Sequence, residues 1–170
     1  IAGQWDADFV VDPFQAGAGT SHNMNTNEVI ANRANQILDF ALDDKQKPVN
    51  PNDHVNYGQS TNDTFPTAMR VMSRVMLTDL MNEVELLAHS FAEKAAEFDG
   101  VLKSARTHLQ DAVPIRLGQE FAAYAAALRR SNEWLKCAAN ELEELGIGGS
   151  AAGTGLNTHP DYRFKVVALL

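Results

Sequence analysis

Two apolar periodicities of helical spacing, each far longer than an ordinary globular helix, limit what this chain can fold into. The first runs through Met69, Met72, Val75, Met76, Leu80, Val84, Leu87, Phe91, Ala95 and Phe98, steps of three and four that keep one helix face apolar. The second runs from about Leu117 to Leu145 through Phe121, Tyr124, Leu128, Leu135, Ala138 and Leu142. A globular helix averages about 11–12 residues, and a lone pair of such long helices cannot cover both apolar faces. The run Ala122-Ala123-Tyr124-Ala125-Ala126-Ala127 lets further helices come close. The expected fold is therefore mainly α, a bundle of long helices shared between subunits. The polar loops between the helices argue against a coiled coil.

The rest of the chain divides around these patterns. Residues 1–25 read as irregular, with turn chemistry at Asp12-Pro13 and Gly17-Ala18-Gly19 and a short extended piece at Phe9-Val10-Val11. A helix is predicted from about Thr26, ending before Lys47-Pro48. Residues 48–64 form a loop of Pro, Asn, Asp and Gly, whose side chains bond their own backbone. Pro66 suits a helix first turn, and Asp99-Gly100 stops the first long pattern. Lys103, Arg106, His108 and Arg116, against Asp111 alone, then mark a locally positive stretch where neither pattern continues. The glycine run 146–155 lacks the Gly-Lys-Ser/Thr of a phosphate loop and follows no strand, so its small residues read as close packing. Pro160 opens the last helix.

A net charge of −8 over 170 residues, with no Lys/Arg run, disfavours nucleic acid. No apolar stretch approaches the roughly 20 residues needed to span a bilayer. The single Cys137 cannot make an internal disulfide, which fits a reducing compartment. The expectation is a soluble, cytoplasmic protein. The absence of an initiator Met, and a last helical pattern with no stop after Leu170, predict an internal segment of a longer polypeptide.

Three loops concentrate short neutral donors: Gly19-Thr20-Ser21-His22-Asn23, Gly58-Gln59-Ser60-Thr61-Asn62-Asp63 and Arg106-Thr107-His108. No nucleophile elbow, zinc spacing or calcium loop occurs among them, so neither metal nor cofactor is expected. Hydroxyls and amides of this kind can hold carboxylate oxygens and receive charge that develops on them. They also serve as caps and turns. His22 reads as an exposed loop residue, His54 as part of the Pro-Asn-Asp loop, His89 as mid-helix and His159 as the residue before a helix-opening Pro. His108, beside Thr107, Gln110 and Arg106, fits either a functional or a structural role.

Four strings add up to a family. GAGTSHNMNTNEVIANRA (17–34), NPNDHVNYGQSTNDTFPTAMRV (50–71), RTHLQDAVPIRLGQEF (106–121) and GTGLNTHPDY (153–162) closely resemble, in order and spacing, the aspartase/fumarase superfamily of homotetrameric lyases. The resemblance covers essentially the whole chain. It implies that residues 1–60 end an N-terminal domain and that 61–170 begin a central helical bundle completed by other subunits. It also implies active sites built from loops of three subunits and a small dicarboxylate substrate. By position, Thr20 matches the first-loop substrate-binding threonine. Ser60, Thr61 and Asn62 match residues that bind the substrate carboxylates and amino group, and Thr107 and His108 match the third-loop catalytic pair.

The implied chemistry is anti elimination. A base takes the proton next to a carboxylate, an aci-carboxylate dianion forms, and the leaving group departs to give fumarate. Preorganised donors and a cationic His108 would help that transition state more than the ground state. The family's base is a serine on a glycine- and serine-rich loop followed by Lys-x-Asn. Neither string occurs here, so the chain by itself is expected to bind weakly and catalyse nothing. GAGTS, FVVD (9–12) and IRLGQEF look closest to aspartate ammonia-lyases. Ala105, where Gly is common, is a tolerated departure from the family pattern, whereas Ser21 stands where fumarases usually carry Gln and Asn50 where they carry His. Aspartate ammonia-lyase is thus favoured over class II fumarate hydratase, with an inactive helical scaffold as the non-enzymatic alternative.

Overall fold

The computed structural model of the chain describes residues 3–15 and 17–170. They run from a 3₁₀ turn at Asp6–Asp8 through α1 (Thr20–Ile37), a π-helical turn at Pro51–Val55 and α2 (Thr61–Glu97). A hairpin of β1 (Leu102–Thr107) and β2 (Gln110–Arg116), then α3 (Leu117–Glu141) and α4 (Tyr162–Leu169), follow. The fold is mainly helical, as expected. Contacts divide the chain into two compact units, Ile1–Arg70 with Leu145–Leu170, and Val71–Glu144.

In the first unit α1 begins at Thr20, not near Thr26, because Gly19 takes a left-handed φ of +83° and turns the chain into the helix. It stops at Ile37, well before Lys47-Pro48, with Asp39 left-handed at φ +63° just beyond. Its buried face is Asn25, Asn27, Ala31 and Asn35, so side-chain amides occupy positions where apolar groups would usually sit. Each amide answers the backbone of a loop. Asn25 Oδ1 accepts from Val10 N (3.0 Å) and Val11 N (3.4 Å), and its Nδ2 donates to the Asp8 carbonyl at 3.0 Å. The predicted extended piece at 9–11 is thus tied to α1 by a side chain. Asn35, fully buried, pairs with Val49 in both directions at 2.9 Å. In the loop at 48–64, Asn50 Oδ1 accepts from Asn52 N and Asp53 N at 2.8 and 3.1 Å and opens the turn at Pro51.

In the second unit α3 runs antiparallel to the later part of α2. Arg129 pairs with Glu85 at 3.6 Å, Asn132 Nδ2 donates to the Met81 carbonyl at 3.2 Å, and Arg74 pairs with Glu143 at 3.0 Å. Ala88, Ala125 and Ala139 are buried, while Phe91, Phe98, Phe121 and Tyr124 cluster with ring centroids 5.3–6.1 Å apart. Gly118 has no room for a Cβ, which would collide with the Ala95 carbonyl and the Asp99 backbone. Met72, Val75, Met76, Leu86 and Leu87, all on α2, are exposed.

The stretch where neither long pattern continues is a two-stranded antiparallel hairpin, which the sequence did not announce. Leu102 pairs with Arg116 and Thr107 with Gln110, with an irregularity between Ser104 and Arg106. No Asn-Gly or Asp-Gly marks the turn. His108 and Leu109 fill it instead, at φ +50° and +63°. Pro66 lies inside α2 rather than in its first turn, since the helix already starts at Thr61; its ring removes the bond to the Asn62 carbonyl. The last helix starts at Tyr162, two residues after Pro160.

Replacing Asn35 with Ala strips the Val49 N–H and C=O of their partners in a buried setting. The variant is expected to lose about 2–3 kcal/mol of stability, measured by urea unfolding followed by circular dichroism.

Candidate functional site

In the first unit the starts of α1 and α2 lie against each other. A Cβ on Gly19 would sit 2.5–2.6 Å from the Phe65 ring carbons, so only glycine lets the first turn of α1 rest there. The His22 imidazole stacks on the same ring, with centroids 5.7 Å apart and planes 5° from parallel, and its Nε2 donates to the Asp12 carbonyl at 3.2 Å. His22 is therefore a half-buried helix residue, not the exposed loop residue its surroundings in sequence suggested. Thr64 Oγ1 lies 3.0 Å from Asn23 Oδ1 and 2.9 Å from the Ser60 carbonyl, and Asn23 Nδ2 donates to Asn56 Oδ1 at 3.3 Å.

Thr20 is the first residue of α1 and is exposed. No side chain caps this helix start, and no acidic residue lies in its first turn. The first N–H groups of a helix have no partner within it and carry the positive end of the dipole. Together with the Thr20 and Ser21 hydroxyls they suit a carboxylate.

Ser60, Thr61 and Asn62 form the start of α2. Ser60 Oγ accepts from Asn62 N at 3.2 Å, and Asp63 Oδ1 accepts from Ser60 N at 3.0 Å, so the two side chains cap the helix start reciprocally. Asp63 is 3% exposed, and its Oδ2 accepts from Gly148 N at 3.1 Å and Ser150 N at 2.8 Å. Asn62 Nδ2 donates to the Ala151 carbonyl at 3.1 Å. Asp63 was not singled out from the sequence. The string Ser60-Thr61-Asn62-Asp63 before an apolar run is the capping-box signature, so its bond to Ser60 was open to detection. Its two bonds to the glycine-rich segment were not.

Thr107 and His108 belong to the second unit. Thr107 ends β1, and His108 is the first residue of the tight turn; both are exposed. Arg106 and Asp111 pair across the strands at 3.4 Å at the base of this tip. An exposed imidazole on a two-residue turn can reach a ligand beyond its own unit's surface. Thr20 and the Ser60-Thr61-Asn62 turn thus stand at two helix starts that touch through Gly19 and Phe65 and through Asn23 and Thr64, while Thr107 and His108 belong to the hairpin tip of the other unit. Among the described residues, no group of three or more His, Cys, Asp or Glu is arranged to hold a metal, and no helix is long and apolar enough to cross a membrane.

Burial holds the Tyr162 phenol above its ordinary pKa, and the nearby Asp63 carboxylate pushes it the same way. The unfolded chain therefore ionises first as pH rises through about 10, and this residue's contribution to stability falls beyond that point. Tyr162→Phe is expected to flatten the decline in melting temperature between about pH 9 and 11, read from thermal melts across that range.

Comparison with known proteins gives concordant relatives. A family model described as "Lyase" matches residues 1–170. The chain is 53% identical over 163 residues to a class II fumarate hydratase of Halobacterium salinarum, covering 95% of this chain and 34% of that protein. It is 50% identical over 167 residues to an aspartate ammonia-lyase of Bacillus subtilis, covering 98% and 35%. The crystal structure of a class II fumarase from Schistosoma mansoni superposes with a TM-score of 0.87 at 39% identity, covering 96% of this chain and 34% of that one. The chain spans about a third of the length of the curated relatives it matches.

Proposed function

Since this chain belongs to the aspartase/fumarase family of lyases, we propose that it is part of a subunit that eliminates ammonia from L-aspartate to give fumarate. The observation that carries the reading is that α1 and α2 start beside each other, through Gly19 on Phe65 and Asn23 on Thr64, with the uncapped N–H groups of α1, Thr20 and the Ser60-Thr61-Asn62 turn at those starts. Such donors, fixed before the reaction, stabilise a dicarboxylate that gains negative charge on losing a proton.

In this reading Thr20, Ser60, Thr61 and Asn62 bind the substrate. Thr107 and His108 approach from the hairpin tip, with the imidazolium on the carboxylate away from the leaving group. The proton is taken by a serine on a loop outside these 170 residues, so the chain alone is inactive. The sites assemble from three subunits of a homotetramer, and the exposed apolar positions of α2, such as Met72, Val75 and Met76, meet neighbouring helices there. Residues 1–60 close an N-terminal domain, and 61–170 open the central helical one.

A second reading, malate/fumarate hydration, has its own support, because class II fumarate hydratases stand beside aspartate ammonia-lyases among the relatives. Ser21 after Thr20 and Asn50 before Pro51 favour the ammonia-lyase. The test is to incubate the full-length protein with L-aspartate and follow fumarate absorbance in the ultraviolet. Turnover of malate with none of aspartate gives the case to the hydratase, and turnover of neither favours an inactive scaffold. His108→Ala is expected to lower kcat/KM by about 10²-fold, whereas His159→Ala should leave it nearly unchanged. Equal effects of the two substitutions remove His108 from the site.

A further inference from the structure

We infer that Asp63 is a positioning residue for substrate binding, and that the glycine-rich segment 146–155 is the fixed surface against which it sets the Ser60-Thr61-Asn62 turn. The inference rests on the function proposed above and assigns work to two features that reading leaves idle. A capping carboxylate ordinarily spends one oxygen on the helix start and leaves the other to solvent. Asp63 is 3% exposed and uses both: Oδ1 holds Ser60 N, and Oδ2 holds Gly148 N and Ser150 N, 85 and 87 residues further along. Hydrogen bonds to a charged acceptor are about twice as strong as neutral ones, so this clasp dominates the placement of the turn.

The surface it grips is itself held. Gly153 N and Gly155 N both donate to the Gly149 carbonyl, at 3.0 and 2.9 Å, and Gly149 N donates to the Gly146 carbonyl at 3.1 Å. Gly148 and Gly155 have φ of +86° and +63°, and a Cβ on either would come within 2.5 Å of Arg163 Cβ or the Gly148 carbonyl respectively. The segment can neither take side chains at these points nor shift easily. Asn62, through Nδ2 on the Ala151 carbonyl, adds a second tie on the same side. The binding turn is therefore gripped from beneath by Asp63 and from the flank by Asn62, both on one rigid segment. Displacing that segment by tenths of an ångström moves Ser60 and Asn62 together.

The experiment uses the full-length protein, with kinetics on L-aspartate and malate, calorimetric titration of succinate, and thermal melts. Asp63→Asn keeps the side chain's size but turns one acceptor into an NH₂ facing N–H donors. It is expected to raise KM, and the succinate Kd, by about tenfold or more while kcat falls much less. Gly149→Ala leaves Asp63 intact but presses a methyl on the Gly146 carbonyl and Gly153 Cα, each 3.0 Å away. It is expected to raise KM by about threefold or more, and it decides the matter if the Asp63 variant does not fold. Leu156→Ala, at an exposed residue just beyond the segment, is expected to change neither quantity. A lowered melting temperature with KM and Kd unchanged in the folded variants overturns the inference and leaves the proposed function standing. A wild type that binds succinate but turns over neither substrate, with binding weakened in the variants, overturns that function and upholds the clasp. A wild type that neither turns over nor binds overturns both.

Discussion

Side-chain amides and a carboxylate bonded to backbone groups hold the first unit together, and most of its local geometry depends on them. A helix wrapped by irregular chain meets many N–H and C=O groups that no ladder satisfies, and leaving them buried and unpaired costs free energy. Asn25 and Asn35 each meet a donor and an acceptor of a passing loop, Asn27 reaches Asn56 at 3.0 Å, and Asp63 takes three N–H groups. The buried apolar residues, among those described, are Ala31, Ala88, Ala125, Ala139 and Ile147, mostly small and unable to dictate direction by shape. Polar pairing therefore supplies the specificity that large interlocking side chains give elsewhere.

What the sequence revealed and concealed follows from the range of the forces involved. The bodies of α2 and α3 were legible because a period of 3.6 repeated over many turns leaves little alternative. The start of α1 was not, since from Thr20 to Asn25 Met24 alone is apolar and no stripe forms; the helix is carried to Thr20 by Gly19 lying flat on Phe65, a contact across 46 positions. The hairpin at 102–116 stayed hidden for a related reason. Its turn is His-Leu rather than Asn-Gly, and Pro114 argues against a strand wherever both edges are paired, which a two-stranded hairpin avoids. Of the candidate site, the polar make-up of the two helix starts that carry Thr20 and Ser60 to Asn62 was legible in the sequence, whereas the contact of those starts through Gly19 and Phe65 was not. Nor was the burial of Asp63, because two of its three partners are set by tertiary folding alone.

The two parts of the candidate site differ in how they are held. The helix starts in the first unit are braced on several sides, by the Phe65 ring, the Thr64–Asn23 contact and the glycine-rich segment. The hairpin tip has the opposite character. His108 and Leu109 both occupy left-handed backbone, which costs an L-residue roughly 1–2 kcal/mol, and Leu109 is 90% exposed. Strain of that kind persists where surrounding structure over-determines it, and it collects at functional positions. A braced cradle and a strained, projecting imidazole suit the division of labour proposed above, in which one part grips carboxylates and the other must be delivered to them.

The long reach of the Asp63 carboxylate also orders events during synthesis. A ribosome releases Asp63 well before Gly148 and Ser150, its partners 85 and 87 positions later. Until those amides emerge, water must solvate the carboxylate oxygen that they later cover, and the helix start above it has only its local cap. The Ser60-Thr61-Asn62 turn thus gains its full set of ties only after 87 further residues beyond Asp63 have appeared, so a nascent polypeptide interrupted before Gly148 holds the string in its sequence without the clasp that fixes its shape.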